Sequence, residues 1–273
     1  MSVFDQMLAR YEINTETDRR NATCEIMQEI ALAGLYRSGF FEKAAFYGGT
    51  CLRIFHGMDR FSEDMDFSLL SKDETFNIES YFPSIIDEFK SIGREVSLTK
   101  KEKKSRSNVE SAFLKENTTS YDLSFSTEKQ IKIKIEVDMD PPLGFSTEYK
   151  LLLHPFSFMT KCFSLPDLFA GKMHALIFRT WKARVKGRDW YDFEWYIKKG
   201  ISLNFSHFQE RAKQFNGMII TREDFEKLLT DRLINTDIDL VKNDVRPFLK
   251  DHSSLEIWSA DYFIELSKMI RTL

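Results

Sequence analysis

The stretch FYGGTCLRIFHGMDRFSEDMDFSL, Phe46 to Leu69, constrains what this chain can fold into more than any other. It sets Gly48-Gly49-Thr50 about fifteen residues ahead of Asp64 and Asp66, which are spaced as Asp-x-Asp. Met65 and Phe67 alternate with the acids, so on a strand both carboxylates project from one face while the apolar pair enters a core. Glu63 falls on the other face and stays outside any ligand set. Two carboxylates aimed at one point repel when ionised, and a hard divalent cation such as Mg2+ relieves the repulsion and carries phosphates with it. The glycines let the backbone approach a phosphate closely, and the Thr50 hydroxyl can donate a hydrogen bond to it. The CLRIF that follows can start a helix whose N-terminus favours anions.

Around this core the apolar spacing predicts a helix over residues 21–38, a short strand over 43–47, a helix over 51–56 and another over 81–92. Residues 96–100, 111–114 and 120–126 read as strands, and KKEKKSRS over 100–107 as a solvated loop between them, a nucleic-acid contact being the minority reading. The most regular strand is QIKIKIEVDMD, 130–140: Ile131, Ile133, Ile135 and Val137 form a buried face, while Lys132, Lys134, Glu136 and Asp138 form the other. Pro141-Pro142 stops it at its charged end. After a strand over 148–153 the pattern turns helical. Ser164, Pro166 and Asp167 mark a helix start, and Lys172, Ala175 and Arg179 share one face by 3-4-7 spacing. Lys186-Gly187-Arg188-Asp189 is a short basic turn before a helix over 190–198, with Asp189, Asp192 and Tyr196 on one side. Residues 206–273 continue with helical periodicity.

The run GGTCLR followed by RFSEDMDF resembles the AbiEii/AbiGii-type toxin nucleotidyltransferases, a branch of the polymerase-beta-like nucleotidyltransferase superfamily. Downstream, LPDLFAGKMHALIFR and KGRDWYDF resemble that family's Lys-x-x-Ala-Leu…Arg and (Lys/Arg)-Asp-x-x-Asp motifs, so the matches span roughly residues 21–197. The resemblance implies an α/β (α+β) nucleotidyltransferase domain with a mixed sheet at 1–155, and a helical C-terminal domain at 156–273 completing the active-site cleft. It implies a metal set of Asp64, Asp66 and a third carboxylate binding two Mg2+ ions, or Mn2+ in their place. Glu136 is preferred as that third acid, with Asp138 open on the same face. Gly48, Gly49, Thr50, Arg60, Ser62, Lys172 and Arg179 become nucleotide-binding residues, and Lys172 and Asp189 join the three acids as catalytic residues.

Blander readings stand beside several of these. Arg60 and Ser62 also suit shaping of the turn into the Asp-x-Asp strand. Arg179 divides evenly between a phosphate contact and a charged pair holding the Asp189/Asp192 helix. Those two acids suit a helix cap as well as a site, and His174 suits packing.

The implied activity is transfer of a nucleoside monophosphate from an NTP to an acceptor, RNA and in particular the tRNA 3′ end, by the toxin of a bacterial toxin–antitoxin or phage-defence pair whose antitoxin is a separate protein. The alternatives are a transferase acting on a protein or small-molecule hydroxyl, and a non-catalytic nucleotide- or RNA-binding module. Composition limits the acceptor reading: with a net charge of -3 over 273 residues the chain is no bulk polyanion binder, so RNA needs a local patch such as Lys132, Lys134, Lys186 and Arg188. Cys24, Cys51 and Cys162 lie far apart without a CxxC pair, which points to a reducing compartment, and no apolar run approaches the roughly 18 residues of a membrane span. Together these predict a cytoplasmic protein with no membrane partner.

Overall fold

Ser2 and Thr15 open the first two helices in the same way. Each accepts a hydrogen bond from the amide of an aspartate three residues on, and that carboxylate accepts from the cap amide in return. The helices are α1 (Val3–Leu8) and α2 (Glu16–Arg37). The cap at Thr15 starts α2 five residues ahead of the apolar pattern, which marks only where burial begins. From Ala22 to Leu35 every residue of α2 is buried, so its apolar groups encircle it as a helix enclosed on several sides requires. The computed structural model describes residues 2–100, 118–126, 131–179 and 185–273. The strand expected at 111–114 and nearly all of the loop expected at 100–107 lie outside them.

The chain continues through β1 (Ala44–Tyr47), α3 (Gly48–His56), β2 (Asp64–Leu69), α4 (Phe82–Ser91), β3 (Val96–Lys100), β4 (Thr118–Phe125), β5 (Lys132–Asp138), β6 (Thr147–Leu152) and β7 (Phe158–Phe163). Gly34 of α2 faces α4 so closely that a Cβ there would lie 2.6 Å from the Ile85 Cα, and only glycine allows the two helices to cross at that distance. The seven described strands form one sheet in the order β3-β4-β5-β2-β1-β7-β6. β2 runs parallel to β5 and antiparallel to β1, and β1 runs parallel to β7, so the sheet is mixed as expected. Because β2 is the middle strand, its apolar residues Met65 and Phe67 are fully buried and its acidic face lies mid-sheet.

β7 was not anticipated. Its Phe158, Thr160 and Cys162 are buried and alternate with Met159 and Lys161. The strand is held by pairing with β6 and with β1, where Phe46 meets Cys162 across more than a hundred residues of chain. The first compact unit therefore extends to Phe163 rather than stopping near 155, because β7 belongs to its sheet.

The second unit takes Pro142–Ser146 together with Ser164–Leu273. Its helices are α5 (Leu165–Phe178), α6 (Gly187–Lys198), α7 (Phe205–Asn216), α8 (Arg222–Ile234), α9 (Ile238–Val245) and α10 (Ala260–Ser267). Aromatic rings fill its interior: Phe169 stacks on Tyr196 at 4.4 Å, and Trp190, Phe193 and Trp258 surround Phe263. The end of the chain is tied back through an isolated bridge between Leu203 and Thr272.

Candidate active site

Both glycines of the Gly-Gly-Thr turn are required by the chain's own side chains. Gly48 has φ +82°, and a Cβ there would collide with the Asp66 carboxylate. A Cβ on Gly49 would lie 2.8 Å from Arg60 Nη2 and 2.9 Å from Ser62 Oγ. Arg60 is only 2% exposed, and its Nη1 donates to the Phe61 carbonyl at 3.1 Å. Arg60 and Ser62 thus shape the approach to β2, the blander of the two readings weighed from the sequence. Thr50 is fully buried and its hydroxyl donates to the Asp64 backbone carbonyl, so it fastens the first turn of α3 to β2 rather than standing ready for a phosphate. α3 itself begins at Gly48 with no side-chain cap, which leaves its first-turn amides as donors.

Two residues that hold this loop escaped the sequence reading. Buried Gln28 of α2 donates through Nε2 to the carbonyls of Ser62 and Glu63, at 3.0 and 3.1 Å. Arg53 bonds Glu25 at 2.8 Å and donates to the carbonyls of Met58 and Asp59 at 2.9 Å each. The available signal was a glutamine set among the apolar residues of the α2 run, and the arginine closing GGTCLR.

The parallel register of β2 and β5 sets Asp66 opposite Glu136 and Asp64 opposite Lys134, with Met65 and Phe67 facing Ile135 and Val137 in the core. Asp64, Asp66, Lys134 and Glu136 accordingly share one face. Asp138 lies one step further along, opposite Ser68, is nearly fully buried and accepts from the Asp140 amide at 3.3 Å. The register therefore puts Glu136, not Asp138, across from the Asp-x-Asp pair. Glu136 accepts from the Lys134 ammonium at 2.6 Å. Burial opposes the charge on Lys134, yet the Glu136 hydrogen bond and the charges of Glu136, Asp64 and Asp66 hold it above the ordinary lysine range.

Among the described residues no three His, Cys, Asp or Glu side chains are grouped closely enough to hold a metal ion. The donor chemistry of Asp64 and Asp66, adjacent on one strand face with only oxygen to offer, nevertheless fits a hard divalent cation.

In the second unit Lys172 of α5 bonds Asp189 and Asp192 of α6, each at 2.7 Å, and Arg179 bonds the other Asp189 oxygen at 2.7 Å. Arg179 thus makes the charged pair with the α6 helix that the sequence offered as one of its two readings. Burial works against the Asp189 charge, but Arg179, Lys172 and Lys186 hold its carboxyl well below the usual range. Arg232 of α8, also missed, donates to the carbonyls of Leu176 and Arg179 and so caps the end of α5. α6 starts at Gly187, three residues ahead of the expected helix, and places Asp189 in its first turn. The basic turn is packed rather than free: a Cβ on Gly187 would collide with the Val241 carbonyl of α9, and the Arg188 guanidinium lies 4.1 Å from the Phe248 ring centre. His174 is buried and hydrogen-bonded to Asn216, as expected of a packed histidine.

Solved structures share this fold. MenT4, a nucleotidyltransferase toxin from Mycobacterium tuberculosis, superposes with a TM-score of 0.55 at 13% identity, covering 97% of this chain and 98% of that one. JHP933 from Helicobacter pylori superposes with a TM-score of 0.52 at 17% identity, covering 91% and 89%. At these identities the likeness is one of fold. No curated protein sequence matches the chain. Residues 30–271, nearly its entire length, match the model of the nucleotidyl transferase AbiEii toxin of type IV toxin–antitoxin systems, and the chain belongs to that family of nucleotidyltransferase toxins.

Proposed function

We propose that this toxin transfers a nucleoside monophosphate from an Mg2+-bound nucleoside triphosphate to a hydroxyl of an RNA acceptor, with the tRNA 3′ end as the acceptor its family resemblance implies. The observation that carries the reading is the β2–β5 register, which gathers Asp64, Asp66 and Glu136 on one face, with the Asp66 carboxylate packed against Gly48 in the first turn of α3. In this reading the first-turn amides at Gly48 and Gly49 receive triphosphate oxygens, as helix N-termini do. Asp64 and Asp66 hold the divalent ion, for which Mn2+ can substitute and which supplies charge neutralisation and polarisation of the phosphoryl group. The acceptor oxygen bonds to the α-phosphorus, the bond from that phosphorus to the bridging oxygen breaks, and pyrophosphate leaves with the electron pair. Glu136 takes the acceptor's proton.

Lys172 enters as a triphosphate-neutralising group whose charge is shared with Asp189 and Asp192. Family membership argues against the non-catalytic alternative, and a separate antitoxin goes with a type IV system.

Thermal melting tests the nucleotide site. A ligand that binds only the folded state stabilises it by about 2.7 kcal/mol at a hundredfold excess over Kd. Triphosphate with Mg2+ should raise the Tm of the wild-type protein, and Asp64→Asn should lose most of that response. Equal stabilisation of both proteins would put the nucleotide elsewhere and overturn the reading.

A further inference from the structure

Lys134 stands in the middle of the carboxylate face. Its register partner on β2 is Asp64 and its partner on β4 is Asp122, while Glu136, two residues along β5, accepts from its ammonium at 2.6 Å. Opposed residues on one sheet face are side-chain neighbours, so acids adjoin this lysine on both neighbouring strands and on its own. Asp66 acts on its charge as well. Ile133 and Ile135 on either side are fully buried, which fixes the strand's register and keeps the lysine on the acidic face.

A strand lysine beside a glutamate is ordinarily a solvated surface pair of small consequence. Two observations separate Lys134 from that case. Its side chain is 32% exposed and Glu136 27% exposed, so the pair is largely withdrawn from water. It also sits between the acids of the site rather than at their edge. Asp64, Asp66 and Glu136 repel one another when ionised, and the Lys134 ammonium offsets one of those three charges from within the chain. A divalent cation at Asp64 and Asp66 would serve the same purpose with greater charge, and it would repel the ammonium.

We propose that Lys134 is a resident counter-cation of the carboxylate face, which holds Glu136 until metal and triphosphate arrive and thereby sets how tightly the site takes a divalent ion. The proposal rests on the reading of Asp64 and Asp66 as metal ligands. It makes Lys134 a positioning residue that acts through Glu136.

Mn2+ titration of the full chain without nucleotide, followed by the electron paramagnetic resonance of free Mn2+, tests both levels. Lys134→Met should lower the Kd for Mn2+ by about tenfold, or about 1.4 kcal/mol. In chelator it should melt below the wild type and recover on adding Mn2+. Lys134→Arg keeps the charge and should leave the Mn2+ affinity unchanged, while Asp64→Asn should abolish binding. If Lys134→Met does not fold, Lys134→Gln carries the same expectation of tighter binding. Unchanged or weaker Mn2+ binding in the neutral variant, with Asp64→Asn still negative, overturns the role of Lys134 and leaves the metal site standing. A wild-type chain that binds no Mn2+ overturns both.

Discussion

Gly48 and Thr50 show how closely the residues of the turn are fitted to the acids. Gly48→Ala adds a Cβ at φ +82° against the Asp66 carboxylate, so both the backbone strain and the displaced acid count against it. It should cost about 1–3 kcal/mol of stability and most of the activity. Denaturant unfolding and a transfer assay on the same preparation check this, and wild-type values in both would refute the close fit. Thr50→Val keeps the shape but takes the buried hydroxyl donor away from the half-buried Asp64 carbonyl, at about 1–3 kcal/mol. A stability unchanged within error would show that the bond is immaterial. At this scale the sequence made Asp64 and Asp66 legible because alternation assigns faces within one strand. It left Glu136 and Asp138 open because both lie on the same face, and only the pairing of β5 with β2, which no local pattern encodes, separates them. Thr50 could be read as a phosphate donor because nothing in the sequence reveals that its hydroxyl is turned inward.

Among the elements, α6 carries the clearest electrostatic consequences. Burial, with Arg179 nearby, pushes Lys186 down to about 8 from the ordinary lysine value of 10.5. The folded chain therefore releases this proton before the unfolded chain does, and stability should rise as pH climbs from about 8 to about 10.5. Lys186→Met removes the cost of burying the charge and should stabilise the protein at pH 7 by up to about 3 kcal/mol, with the advantage shrinking from about pH 8 and mostly gone by pH 10. Urea unfolding at pH 7 and pH 10 measures this; a constant difference between the two proteins would contradict it. Asp189 works in the opposite sense. Its depressed value means its contribution is present above the usual carboxylate range and is lost as pH falls below that range. Lys172→Ala leaves two buried carboxylates short of a partner, so it should cost about 3–5 kcal/mol as well as weakening nucleotide binding. A variant as stable as the wild type would show that the pairs contribute little. β7 was missed at this scale because what holds it as a strand is its pairing with β6 and with β1, and the β1 partner lies more than a hundred residues away in the chain.

For the molecule as a whole, the quoted motifs end near residue 197, yet the family match runs to 271. Helices α7 to α10 carry no motif. Their role is legible only as packing, through rings such as Phe208, Phe225 and Phe263 that are fully buried. The three cysteines are free and buried, and no helix among the described residues is long and apolar enough to cross a membrane. The net charge of -3 still demands a local cationic patch for any RNA. With Arg188 over Phe248 and Gly187 packed on α9, the basic turn is a weaker candidate for that patch than exposed Lys132 of β5. The central claim is transfer of a nucleoside monophosphate to RNA through the Asp64/Asp66 site. Incubating the protein with each α-phosphate-labelled triphosphate, Mg2+ and total RNA, then resolving RNA from protein and small molecules, tests it most directly. Label should appear covalently attached to RNA, in the tRNA fraction, and be lost in Asp64→Asn and Asp66→Asn. Label on protein or a small molecule instead, or labelled RNA that persists in either variant, would contradict it.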